Sequence, residues 1–271
     1  MTTTSVRHML LISGGKDSTA LALWMRDNRP EIDLEYVFCD THKELPETYE
    51  YLTKIEGYLG KTITRLSSGL GDRGFDHWLK VYGNYLPAPN MRWCTRKLKI
   101  EPFEEYVGED SVYLYIGIRA DERREGYIST KPNFMPVYPF KEEGIRKEDV
   151  FRILEDSGIG LPKYYDWRTR SGCYFCFFQR RVEWVGLHET HPELFEKAGA
   201  YEKPDEGFTW IQDASLDAFK DPETAAEIRQ KEEDRRARLA ARRKPRNLAE
   251  AFGFSELDDS DESPGCLICH L

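Results

Sequence analysis

The sequence has no run of about 18 apolar residues, so no membrane-spanning helix is expected, and Met1–His8 carries no secretory pattern. A cytoplasmic location with no membrane partner is the expectation. Cysteine is scarce, six in 271 residues, and four of the six stand in C-x-x-C pairs at Cys173/Cys176 and Cys266/Cys269. That usage argues against a disulfide scaffold and for metal or redox chemistry. Positive charge is in deficit, 39 Lys and Arg against 48 Asp and Glu for a net charge of −9. A whole-surface attraction to a polyanion is thereby excluded, and any nucleic-acid contact requires a local basic patch. The glycine period of collagen, sustained heptads and internal repeats are missing as well.

What remains is a chain with 40% hydrophobic and 13% aromatic residues, enough to bury a sizeable core. Its first 120 residues alternate apolar runs with helical patterns. His8–Ile12, Leu34–Asp40 and Thr62–Leu66 read as strands, Ser18–Asp27 and Glu47–Leu59 as helices between them. This is βαβα order and predicts a parallel sheet flanked by helices. Phe75–Lys80 and Lys97–Val107 read as further helices, Val112–Ile118 as the most apolar strand, then a Pro-punctuated segment (Pro132, Pro136, Pro139) and a helix over Lys147–Ser157. An aromatic, cysteine-bearing stretch, Tyr164–Trp184, follows. From Pro222 the composition shifts: Thr224–Ala241 is helix-prone, and residues 229–246 hold nine Lys and Arg against three acidic residues. An acidic run at 256–262 precedes the terminal Cys266-Leu267-Ile268-Cys269-His270-Leu271. Three parts are expected: a nucleotide-binding core over 1–130, a cysteine-bearing extension packed on it over 131–220, and a basic helix with an acidic tail over 221–271.

The strongest local signal is Ser13-Gly14-Gly15-Lys16-Asp17-Ser18-Thr19, between an apolar strand and a helix. Glycines let the backbone approach a phosphate, the helix N-terminus offers N–H groups to an anion, Lys16 supplies charge, and Ser13, Ser18 and Thr19 add hydroxyls. The spacing is not that of a Walker A loop. Asp40, ending the second strand, suits a ribose hydroxyl or a metal, or else a turn. Arg119 suits a phosphate or sulfate, with Arg123 and Arg124 nearby either joining it or remaining a solvated run. Cys94, in Arg92-Trp93-Cys94-Thr95-Arg96-Lys97, and the Cys173/Cys176 pair form a three-thiol set beside cationic residues. Zinc is an alternative occupant. Cys39 reads as core, and the C-x-x-C-H ending is not read as a haem site.

Ser-Gly-Gly-Lys-Asp-Ser after a first strand resembles the PP-loop of the ATP pyrophosphatases. Phe38-Cys39-Asp40-Thr41-His42-Lys43-Glu44-Leu45-Pro46-Glu47-Thr48 is similar to the second-strand block of phosphoadenosine phosphosulfate (PAPS) reductases and their relatives. Ile116-Gly117-Ile118-Arg119-Ala120-Asp121-Glu122 resembles a later loop of that family. Tyr138-Pro139-Phe140, Leu161-Pro162, Tyr165-Asp166 and Ser171-Gly172-Cys173-Tyr174-Phe175-Cys176 continue the likeness in order, over about residues 8–185. The resemblance implies an α/β fold with a Rossmann-like parallel sheet of the adenine nucleotide α-hydrolase type and a cysteine-bearing helical C-terminal part. It implies ATP with Mg²⁺ held by Ser13, Gly14, Gly15, Lys16, Asp17, Ser18, Thr19, Asp40, Thr41, Gly117 and Arg119, with Lys16, Asp17 and Arg119 catalytic.

The cysteine set resembles the one holding a four-iron four-sulfur cluster in adenylylsulfate reductases and in DNA phosphorothioation pyrophosphatases. That likeness implies Cys94, Cys173 and Cys176 as ligands, with Cys269, Cys266 or a non-cysteine group as the fourth. Sulfonucleotide reductases usually carry an altered loop, having no β,γ-phosphates to hold, whereas Lys16 and Asp17 are retained here. The expected activity is therefore cleavage of ATP to AMP and pyrophosphate, adenylating an acceptor for sulfur transfer. Arg-Trp-Cys-Thr-Arg and Ser-Gly-Cys-x-x-Cys-Phe-Phe look most like the Dnd- and Ssp-type DNA phosphorothioation proteins, with a cysteine desulfurase as sulfur donor and DNA contacted through 229–246. The alternatives are PAPS or adenylylsulfate reduction to sulfite, and a non-catalytic nucleotide- and metal-binding regulator.

Overall fold

A computed structural model describes residues 6–68, 74–123 and 131–242. Five parallel strands form one sheet in the order β3-β2-β1-β4-β5: β1 (Arg7–Leu11), β2 (Leu34–Cys39), β3 (Ile63–Leu66), β4 (Val112–Tyr115) and β5 (Phe134–Val137). This order is Rossmann-like: the chain runs outward from β1 to β3, then crosses to the other side of β1 at β4. The crossover places the C-terminal ends of β1 and β4, and hence the Ser13 and Gly117 loops, beside each other.

Strand alternation divides the apolar residues between two cores. Leu10, Ile12, Tyr36 and Phe38 face α1 (Lys16–Asn28), α2 (Pro46–Leu59) and α7 (Lys147–Asp156), where Leu21, Leu52, Val150 and Leu154 close the packing. Met9, Leu11, Val37 and Cys39 face the other way, onto Phe103 and Val107 of α5 (Glu101–Val107). Three short helices complete the elements before Lys147: α3 (Phe75–Val81), α4 (Trp93–Thr95) and α6 (Pro139–Glu142). A π-turn at Arg96–Ile100 joins α4 to α5, so the single helix expected over Lys97–Val107 starts earlier and widens in the middle. Pro102 has no N–H for the carbonyl four residues back, which disfavours an unbroken α-helical register there.

Two further differences from the sequence reading have physical causes. The Pro-punctuated segment contains β5, which tolerates Pro136 because it is an edge strand and needs hydrogen bonds on one side only. β4 stops at Tyr115 rather than Ile118, because the chain turns at Gly117, with Ile118 N–H donating to the Ile116 carbonyl.

The chain divides into two compact units, one running through Cys176 and the other beginning at Phe177, a boundary inside the 131–220 stretch. β5, α6, α7 and the Cys173–Cys176 turn therefore belong to the unit with the sheet. The second unit has its own core of Trp184, Phe195, Trp210, Leu216 and Phe219, within and around α8 (Arg181–Thr190), α9 (Pro192–Gly199) and α10 (Pro222–Arg242). The Glu202 carboxylate ties it together, accepting from Trp210 N, Ser215 Oγ and Leu216 N at 2.8–3.0 Å. Among the described residues no helix is long and apolar enough to cross a membrane.

Leu10 is fully buried at the centre of the sheet. Leu10→Ala is expected to lower unfolding free energy by about 2–5 kcal/mol in urea titration with an unchanged slope. A loss under about 1 kcal/mol would contradict this packing.

Candidate functional site

The loop after β1 is built by short-range hydrogen bonds that leave the backbone in an unusual path. Ile12 N–H donates to Val37 O, extending the sheet one residue beyond β1. Ser13 N–H then donates to Ser18 Oγ at 3.1 Å, and Gly15 N–H to Ser13 Oγ at 3.3 Å. Gly14 takes φ +73°, and a Cβ there would also lie 2.9 Å from Thr48 Cγ2, so glycine is required twice over. α1 begins at Lys16, two residues before the reading from sequence, with no side-chain cap; the Ser18 and Thr19 hydroxyls instead donate to Gly15 O.

Behind this loop lies a buried ion network. Asp17 accepts from Lys16 Nζ at 2.7 Å on one carboxylate oxygen and from Arg119 Nη1 at 2.8 Å on the other. Arg119 also reaches Asp121 Oδ1 and Glu122 Oε1, each at 3.1 Å. Lys16, Asp17 and Arg119 are 5%, 4% and 2% exposed, so these contacts replace most of their hydration. Gly117 permits the approach: its Cβ would meet the Asp17 carbonyl oxygen at 3.1 Å. Arg119, expected to fork onto a phosphate, is here forked onto carboxylates. Arg123 is exposed, and Arg124 lies outside the described residues.

The expected ribose or metal ligand Asp40 serves its own turn. Its Oδ1 accepts from His42 N–H and from Tyr49 OH, both at 2.8 Å. Thr41 donates to Glu44 Oε1 at 2.8 Å and shares a hydrogen bond with Cys173 Sγ at 3.1 Å. The Cys173 thiol is pushed well above its ordinary range, first by burial and then by the charge of Glu44. Burial likewise pushes Cys39 up to about 12; it sits in the core, as its place on a strand implies, with its thiol directed to Lys99 O.

The chain neighbours of Cys94 and Cys176 meet at Phe75, whose ring packs on both Trp93 (5.1 Å) and Phe175 (4.4 Å). None of Cys94, Cys173 and Cys176 is in a disulfide. Yet among the described residues no three His, Cys, Asp or Glu side chains are arranged to hold a metal ion. The described residues alone therefore do not complete a site for an iron–sulfur cluster or zinc. Cys266 and Cys269 lie outside the described residues.

Four side chains at the loop were not picked out from the sequence as site residues. Tyr164 OH donates to Gly14 O at 2.6 Å, Tyr165 OH accepts from Lys16 N–H at 3.0 Å, and Ser171 Oγ donates to Ser13 Oγ at 3.1 Å. Arg168, 1% exposed, donates to Gly172 O and Cys173 O, both at 2.9 Å. Residues 163–176 thus run as a strap across the PP-loop. The tyrosine pair just before the C-x-x-C was the available signal.

The family model described as the phosphoadenosine phosphosulfate reductase domain matches residues 7–178. The chain belongs to this family. The match ends within two residues of the boundary between the compact units, so the family domain is the sheet-bearing unit. An uncharacterised Methanocaldococcus jannaschii protein is 29% identical over 208 residues, 70% of this chain and 40% of that protein; the chain spans less than half of this relative's length. Among solved structures, a phosphate complex of PAPS reductase from Candida auris is 17% identical with a TM-score of 0.49, covering 63% of this chain and 82% of that one. The U34-tRNA thiolase from Methanococcus maripaludis, solved with its [4Fe-4S] cluster, is 15% identical with a TM-score of 0.43, covering 75% and 73%.

Asp17 bridges Lys16 and Arg119, so its removal takes a buried negative charge from between two buried cations. Asp17→Ala is expected to cost about 3–5 kcal/mol of stability, measured by urea unfolding of the whole chain. A cost below about 1 kcal/mol would show the network to be solvated.

Proposed function

We propose that the chain is an ATP pyrophosphatase of the PAPS reductase family that adenylates an acceptor for sulfur transfer. One observation carries this reading: the glycine loop, the N-terminus of α1 and the Lys16 and Arg119 cations converge at the C-terminal end of the central strand. That is where open parallel sheets bind nucleotides, and where N–H groups and cations favour a leaving pyrophosphate. In the proposed step an acceptor oxygen attacks the α-phosphorus of ATP. The bond to the β-phosphate oxygen breaks, pyrophosphate leaves with the charge, and AMP stays on the acceptor for a sulfur nucleophile to displace. Lys16 Nζ, now on Asp17, would turn to the departing β,γ-phosphates, with Asp17 retaining Arg119. Mg²⁺ supplies charge neutralisation on the phosphates when bound.

DNA phosphorothioation is the finer reading, with a cysteine desulfurase supplying sulfur. Its support is the sequence likeness around Cys94 and Cys173 and the basic residues of α10. In the described part of α10 several of those cations are already engaged: Arg229 with Glu189, Lys231 with Glu227, and Arg235 and Arg236 with Glu232. These are surface pairs that a phosphate can replace, and residues 243–246 of the basic stretch lie outside the described residues. Among the described residues the thiols do not by themselves complete a metal–sulfur centre.

The wild-type protein with ATP and Mg²⁺ is expected to release AMP and pyrophosphate, and Lys16→Ala to lose about 10²–10³-fold in rate, the scale of one lost electrostatic donor to a developing charge. Chromatography of the nucleotide products checks this. ADP and orthophosphate as the only products would refute the reading, and catalytic release of sulfite from PAPS would establish the reductase alternative.

A further inference from the structure

The Lys16 amide is the first N–H of α1 and lies in the loop assigned above to the nucleotide phosphates. Here it donates to a neutral phenol, Tyr165 OH, at 3.0 Å. Tyr165 belongs to the Lys163–Asp166 turn, and the adjoining Tyr164, whose ring stacks on it at 5.0 Å, holds Gly14 O. Six residues on, Ser171 bonds Ser13 and sits so close that a Cβ on Gly15 would lie 2.8 Å from its hydroxyl. The strap therefore covers the same backbone that a phosphate would need.

We propose that Tyr165 is a placeholder for a phosphate oxygen, and that a pyrophosphate moiety entering the PP-loop displaces it and loosens the strap that carries Cys173. This deepens the nucleotide reading and rests on it. The direction of exchange follows from charge. An N–H bond to an anionic oxygen is roughly twice as strong as one to a neutral hydroxyl, and the dipole of α1 adds to the preference. Without a ligand the phenol keeps a buried N–H satisfied, so the empty loop retains its shape. Transmission to the thiol is mechanical. Arg168 clamps Gly172 O and Cys173 O, making residues 168–173 one piece, and that piece is fixed to the core at Ser13, at Thr41 through Cys173 Sγ, and at Lys43 O through Tyr174 N–H. Losing the Tyr165 contact, with Ser171 crowded off Gly15 by the ligand, leaves Tyr164 on Gly14 O as the strap's hold on the loop side. Half-buried Cys173 then becomes more accessible when the nucleotide site is filled, which orders the reaction: phosphate first, sulfur chemistry second.

The test uses the full chain with inorganic pyrophosphate as the probe. Tyr165→Phe removes the hydroxyl and keeps the ring on Tyr164. It is expected to bind pyrophosphate about 2- to 10-fold tighter than wild type, the factor of one neutral hydrogen bond no longer competing. In parallel, iodoacetamide labelling of Cys173, followed by peptide mass, is expected to accelerate severalfold when wild type is saturated with pyrophosphate. In Tyr165→Phe it is expected to be fast already and to change little. Equal affinities for the two proteins, or labelling that is unchanged or slowed by pyrophosphate in wild type, would overturn the placeholder role while leaving the nucleotide reading intact. If neither protein binds pyrophosphate, both fall. Should the variant fail to fold, labelling of wild type with and without pyrophosphate still decides the matter.

Discussion

Everything at the PP-loop depends on one buried carboxylate. Asp17 stands in the first turn of α1 with a lysine on one oxygen and an arginine from the β4 loop, 102 residues away, on the other. Two cations this close, each nearly out of water, repel unless an anion lies between them. The carboxylate supplies that anion and in doing so fixes the β1 and β4 loops to each other, an approach that is possible only because Gly117 has no side chain. The constraint is geometric as well as electrostatic. A backbone carbonyl 3.1 Å from where a Cβ would stand makes alanine a tight fit that the Asp17 backbone would have to yield to, so the glycine and the aspartate serve one contact.

The same arrangement explains why a loop built for anions is stable without one. Arg119 rests on Asp17, Asp121 and Glu122, and the Lys16 amide rests on Tyr165. A phosphate gains the loop only by exchange, replacing neutral or shared partners with its own charge. Exchange of this kind adds selectivity: a weakly charged ligand does not compensate for the contacts it breaks, whereas a pyrophosphate does.

Much of this architecture was legible in the amino-acid order. A β-strand leading through two glycines to Lys16, Asp17 and two hydroxyl residues carries its geometry locally, because strand, turn and helix start are each set by neighbours in sequence. Cys39 was readable as core from strand alternation for the same reason. What stayed hidden depends on contacts distant in the chain. Asp40 was open to a ribose, a metal or a turn, and the contact of Tyr49 from the first turn of α2 on it was not legible; nor was the reach of Asp17 to Arg119 from the neighbouring strand's loop. β5 was concealed by Pro136, whose cost vanishes only at an edge position that topology alone reveals. The basic composition of α10 did not reveal that Arg229, Lys231, Arg235 and Arg236 pair with Glu189, Glu227 and Glu232.

The central claim is that the loop holds the β,γ-phosphates of ATP, and equilibrium titration of the intact protein tests it most directly. ATP with Mg²⁺ and pyrophosphate alone are expected to bind, PAPS, which lacks a pyrophosphate at that position, to bind more weakly, and Lys16→Ala to erase the difference. Tighter binding of PAPS than of ATP, with Lys16→Ala leaving both affinities unchanged, would contradict the account.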